Sequence, residues 1–122
     1  MGGDNVVVDN ATGLMWHQNG SYYWMIWEKA KEWIKKLNKS GYADYHDWRL
    51  PTLEEAASLL ESSEKNGNLY IDPIFSNRQK YIWTGDRSGW GGVAWHVVFY
   101  SGIVSRHNFS RNNCVRPVRS VE

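Results

Sequence analysis

Cysteine occurs once in the 122 residues, as Cys114, so no internal disulfide can staple the chain, and the fold must rest on a packed core in which Cys114 itself packs. No apolar run approaches the roughly 20 residues that a membrane-spanning helix needs, and Met1-Gly2-Gly3-Asp4 lacks the basic and apolar regions of a signal peptide. A soluble chain without membrane insertion is expected. Arg87, Arg106, Arg111, Arg116 and Arg119 lie in strand-like sequence with no recognition helix and no Lys/Arg block, which argues against nucleic acid as the partner. H-E-x-x-H and C-x-x-C are absent, and Gly89 to Gly92 lacks the helix and lysine of a phosphate cradle. Glu55 reads as a helix cap, and Asp44, Asp47, Glu54 and Asp72 as turn or surface groups, so no acid/base pair stands out. The expectation is a protein that is not an enzyme and needs no metal or cofactor.

What the chain does have is aromatic mass, with 8 Trp and 15% aromatic residues among 42% hydrophobic ones, enough for one folded domain over residues 1–122. Charge is uneven. Residues 1–77 carry 7 basic against 11 acidic groups (net −4), and residues 78–122 carry 7 against 2 (net +5), so a mildly basic face is expected toward the C-terminal end.

Val6-Val7-Val8 and Leu14-Met15-Trp16, separated by turn formers, read as a hairpin. Ile26, Ala30, Trp33 and Leu37, joined by Trp27 and Ile34, recur at helical spacing, which predicts a helix over 26–39 ended by Gly41. Thr52-Leu53-Glu54-Glu55 is a capping box behind Pro51, opening a second helix over 53–62 that buries Leu53, Ala56, Ala57 and Leu60. Ser63 to Asn68 reads as loop. The period then becomes two, predicting strands at 81–84, 94–100, 103–108 and 114–118, with the glycine-rich stretch 85–92 as an exposed loop.

Ser101-Gly102 between two alternating runs predicts a two-residue hairpin turn, pairing Tyr100 with Ile103, Phe99 with Val104, Val98 with Ser105 and His96 with His107. Trp95, Val97, Phe99 and Val104 then share an inward face, while His96, Val98, Tyr100, Ile103, Ser105 and His107 share the other. Arg106 and Asn108 break inward parity, so pairing is expected to end or bulge after Ser105. The outer face is mixed rather than simply polar. Either it is an exposed interaction patch or another segment covers it. Trp16, Trp27, Trp48, Trp83, Trp95, Val97, Phe99 and Val115 are the expected core. Trp90, Gly91, His96, Val98, Tyr100, Ile103, Ser105, His107 and Arg111 are the expected ligand-binding residues: aromatic rings give contact area with few rotors, and His and Arg add directed hydrogen bonds.

The segment Gly41-Tyr42-Ala43-Asp44-Tyr45-His46-Asp47-Trp48-Arg49-Leu50-Pro51-Thr52-Leu53-Glu54-Glu55 resembles the G-Y-x-D-W-R-L-P-T-x-x-E signature of the Lcl C-terminal domain family, found at the end of a bacterial collagen-like adhesin and in surface proteins. The likeness extends through Asp9 to Trp16, Trp27 to Ala30, Tyr81 to Thr84, Ala94-Trp95 and Val115-Arg116, with Tyr45-His46 inserted before the usual Asp-Trp. It implies an α+β, C-type lectin-like fold with two helices on antiparallel sheet, of the variety also present in formylglycine-generating enzymes. The tripeptides of calcium-dependent lectins are absent. Residues 83–119, ending Cys114-Val115-Arg116-Pro117-Val118-Arg119, are also similar to the variable region of proteins diversified by a retroelement. That likeness implies invariant Trp95, Val97, Phe99, Gly102 and Val104 between variable His96, Val98, Tyr100, Ile103, Ser105 and His107. The implied partner is a protein or cell-surface ligand, at a cell or virion surface. Two alternatives stay open: a glycan or glycosaminoglycan adhesin, and an enzyme related to formylglycine-generating proteins.

Overall fold

The computed structural model describes residues 4–87, 89 and 91–121. Asp9 and Gly13 close the N-terminal hairpin: the Asp9 carboxylate accepts from the Ala11 N–H at 3.0 Å, and Gly13 takes the left-handed φ of 72° that the turn requires. Strand β1 (Val6–Asp9) thereby pairs with β2 (Leu14–His17), and β6 (Val118–Ser120) lies on the other side of β2, giving the antiparallel order β1-β2-β6.

Helix α1 (Trp27–Ser40) buries Trp27, Ala30 and Ile34 along the expected stripe, and Gly41, at φ 77°, ends it by donating its N–H to the Leu37 carbonyl. The signature segment that follows is scaffold. Both halves of the Asn38 carboxamide bond the Trp48 backbone, at 2.8 and 2.7 Å, while the Trp48 indole donates to the Tyr42 carbonyl at 3.0 Å. Arg49 grips Glu55 at 2.6 and 2.9 Å, and Arg119 grips Asp47 at 2.6 Å; these bonds hold both carboxyls below their ordinary range.

The capping box of Thr52 and Glu55 forms as the sequence requires, but α2 runs only Leu53–Ala57. Ser58 stops it: its N–H is shared between the Glu54 and Glu55 carbonyls and its hydroxyl donates to Glu55 O at 2.6 Å, which tightens the last turn. The chain therefore buries Ala56 and Leu59, and Leu53, Ala57 and Leu60 are only half-buried.

The second antiparallel sheet has the order β3-β4-β5. Strand β3 (Tyr81–Arg87) enters the stretch expected as loop, with its register shifting between Trp83 and Arg87. Strands β4 (Val93–Val98) and β5 (Ile103–Asn108) pair Val98 with Ile103, Val97 with Val104 and His96 with Ser105. The hairpin loop is thus four residues long. Phe99 leaves the ladder because its own N–H and C=O bond Lys80 O and Tyr70 N–H, both at 2.7 Å, and Gly102, at φ 75°, donates back to Val98 O. The displacement is two residues, so both predicted faces survive it. Pairing does not end after Ser105. It continues to Asn108, because Arg106 lies over the half-exposed ring of its partner Trp95, at 5.7 Å. Residues 114–117 are not a strand; Cys114 makes only an isolated parallel bridge with Ile82.

One apolar cluster gathers Leu14, Trp16, Leu69, Phe75, Ile82, Val97 and Phe99 below α2. The other packs α1 and Trp48 on Met15, Trp83, Ala94 and Val115. Trp16, Trp27, Trp48, Trp83, Val97, Phe99 and Val115 are core as expected. Trp95 and Val104 are not: Trp95 is half-buried, and Val104, opposite Val97 on the edge strand β5, is exposed. Arg116 is fully buried and charged, its guanidinium donating to the main-chain carbonyls of His17, Gln18 and Ser76 above the Phe75 ring.

Candidate ligand-binding site

The hairpin register sends His96, Val98, Ile103, Ser105 and His107 to one face of the β3-β4-β5 sheet, and Tyr81 and Trp83 join them there opposite Val98 and His96. A concavity of about 600 Å³ opens over this face. Seven of the nine expected binding residues line it: His96, Val98, Tyr100, Ile103, Ser105, His107 and Arg111. Gly91 is exposed and is not in its lining, lying near the Arg87 guanidinium. Trp90 falls outside the described residues.

Exposed patch and covered face each describe one end of this surface. Tyr100 and Ile103 are 55% and 53% exposed, whereas His96 and Val98 are both 6% exposed. The covered end lies under segments that the hairpin alone does not reveal: Met25 and Asn113 pair their main chains at 2.8 and 3.0 Å, and Trp24 meets Tyr81 edge to face at 4.8 Å. Trp24 and Tyr81 line the concavity and were absent from the expected site. Tyr81 had a signal in the sequence, since it alternates with the core residue Ile82; Trp24 had none beyond lying in the run Tyr22-Tyr23-Trp24, whose three rings are all exposed.

Arg111 stands in the lining and no carboxylate does, while the guanidinium of Arg106 lies over Trp95 on the other face of the sheet. The Arg111 position is set by a turn in which Asn108 accepts from the Ser110 N–H and hydroxyl and from the Arg111 N–H, all at 2.8 to 2.9 Å.

His96 and His107 are diagonal neighbours, opposite Ser105 and Ala94 rather than opposite each other. Their rings stack at 4.3 Å, with Tyr81 at 5.8 and 6.3 Å. Burial lowers the pKa of both imidazoles, the neighbouring His96 and Arg111 lower that of His107 further, and both are neutral at physiological pH. Among the described residues no three His, Cys, Asp or Glu side chains gather as a metal-ligand group. Cys114 is buried, and burial pushes its thiol up to about 12.

Fold and site together define a disulfide-free α+β scaffold with an open aromatic concavity on one sheet. The chain belongs to the Lcl C-terminal domain family, whose model matches residues 5–119, and its fold is the C-type lectin-like one. Membership supports, at a coarse level, a ligand-binding or adhesin-like module. No curated protein matches the chain. No helix among the described residues is long and apolar enough to cross a membrane.

Proposed function

We propose that the chain is a non-catalytic recognition module that binds a protein or cell-surface ligand in the concavity over β4 and β5, with side chains diversified on an unchanging scaffold in the manner of a retroelement variable protein. One observation carries the reading: Tyr100, Ile103 and Arg111 line this concavity exposed to solvent while Val97, on the opposite face of the same sheet, lies in the core, so those side chains can vary without unfolding the chain. The buried thiol of Cys114, pushed up to about 12, argues against thiolate chemistry at that residue. Diversification of this kind leaves a near-repeat of the coding end, differing at adenines, beside a reverse transcriptase gene; a neighbourhood without both removes that part of the reading.

Substituting Tyr100→Ser and Ile103→Ser together is expected to abolish capture of partners selected on the wild-type domain from a protein display library, with the unfolding midpoint nearly unchanged, since both side chains are more than half exposed. A large fall in the midpoint would mean that this face is core. The same capture is expected to persist in excess chelator. Loss that calcium restores would transfer the affinity to a coordinated cation.

A glycan adhesin is the second reading, favoured by Arg111 in one lining with Tyr81 and Tyr100. Binding to sulfated members of a glycan array that weakens steeply with salt would support it over a protein ligand.

A further inference from the structure

Asn113 is completely buried, and its main chain is clamped by the two hydrogen bonds to Met25. Its carboxamide lies between the two stacked imidazoles, with Oδ1 at 2.8 Å from His96 Nδ1 and Nδ2 at 2.8 Å from His107 Nδ1. A carboxamide has one accepting and one donating end. One imidazole must therefore carry its proton on Nδ1 and the other must offer a lone pair there, and this remains true whichever way round the amide lies. The opposite nitrogens are then fixed in the reverse sense: one Nε2 accepts and the other donates. Among the described residues neither Nε2 has a hydrogen-bond partner, and neither atom is fully buried.

We propose that Asn113 is a positioning residue that makes His96 and His107 a fixed acceptor–donor pair in the concavity, and that this pair selects a carboxamide on the ligand, from an asparagine or glutamine side chain or a main-chain peptide group. This rests on the concavity being the binding face. A carboxylate offers only acceptors and an ammonium only donors, so each leaves one neutral imidazole unpaired against a buried wall. A carboxamide carries donor and acceptor on separate atoms of one plane, matching two rings 4.3 Å apart, whereas a hydroxyl must bring both bonds to a single oxygen.

The test has two arms. In the first, the protein labelled with ¹⁵N-histidine is examined by long-range ¹H–¹⁵N correlation at pH 7.5. The expected result is His96 and His107 in opposite tautomers, and both in the Nδ1–H form in Asn113→Asp, whose carboxylate accepts from the two rings at once. Two like or averaging tautomers in the wild type overturn the proposal, and that spectrum suffices if the variant does not fold. This arm is independent of whether the concavity binds anything, so its failure is distinct from failure of the functional reading. In the second arm N-acetyl-asparagine amide, sodium acetate and methyl glucoside are titrated separately. The amide is expected to shift the His96 and His107 signals saturably, at least about tenfold more tightly than either other probe, which corresponds to about 1.4 kcal/mol. Preference for acetate or the glucoside, or no saturable shift with any probe, overturns the assignment of a carboxamide.

Discussion

Truncating Trp83 to alanine is expected to lower the free energy of unfolding by about 3–5 kcal/mol, the range for loss of a fully buried aromatic side chain. The indole is completely enclosed between α1 and the β3-β4 ladder, its N–H donates to Met25 O at 2.8 Å, and the Trp83 main-chain N–H donates to Cys114 O at 3.0 Å. Urea unfolding measures the loss. Trp95→Ala is the matched control: Trp95 was expected in the core from its inward parity, but its ring is half-exposed, so its truncation costs clearly less. Equal losses would mean that something covers Trp95. Phenylalanine separates packing from hydrogen bonding. Trp83→Phe removes one of the two donors to the Met25 carbonyl, which keeps the Asn113 N–H, a cost of about 0.5–1.5 kcal/mol, whereas the Trp16 indole N–H has no partner among the described residues to lose, so Trp16→Phe is the milder change.

Acid is expected to unfold the protein from an unusually high pH, with His17 as a principal cause. Its ring is buried, stacks on Tyr42 at 4.2 Å, and accepts the Gly20 N–H on Nδ1 at 2.9 Å, so a proton there breaks that bond. Burial first, and then the charge of Arg116, lower its pKa to about 4, against a partial opposing effect of Asp4. The folded chain thus binds this proton less readily than the unfolded chain. Stability is retained above the ordinary imidazole value of 6.5 and falls as the pH drops below it, by about 2 kcal/mol at pH 5. His96 and His107, also lowered, act with the same sign, and Asp47 and Glu55, held down by their arginines, lose their contributions only at lower pH. The measurement is the difference in denaturant midpoint between pH 7 and pH 5, in wild type and in His17→Phe. A variant that keeps the whole pH dependence would remove His17 from the account.

Legibility in the sequence followed the range of the interactions. Gly41 as helix stop, the Thr52–Glu55 box and the period-two faces of the final hairpin depend on neighbours a few residues away, and all of them formed. The end of α2 was misread because Ser58, an ordinary helical residue by pattern, spends its hydroxyl on the Glu55 carbonyl. The hairpin turn was misread because Phe99 bonds Lys80 and Tyr70, partners 19 and 29 residues distant, instead of its neighbour strand.

The candidate site divides in the same way. Alternation by itself determined that His96, Val98, Ile103, Ser105 and His107 face one way and Val97 the other, since side chains on a strand alternate and a register displacement of two changes no face. Tertiary structure alone decided which of them reach solvent, because Trp24, Met25 and Asn113 come from segments outside the hairpin, held beside β3 by the bridge of Cys114 to Ile82 and by the pairing of Met25 with Asn113. It also decided that Trp95 meets water and that two imidazoles share one amide, since burial and a bridging hydrogen bond depend on what packs above a strand, and no period along the chain records that.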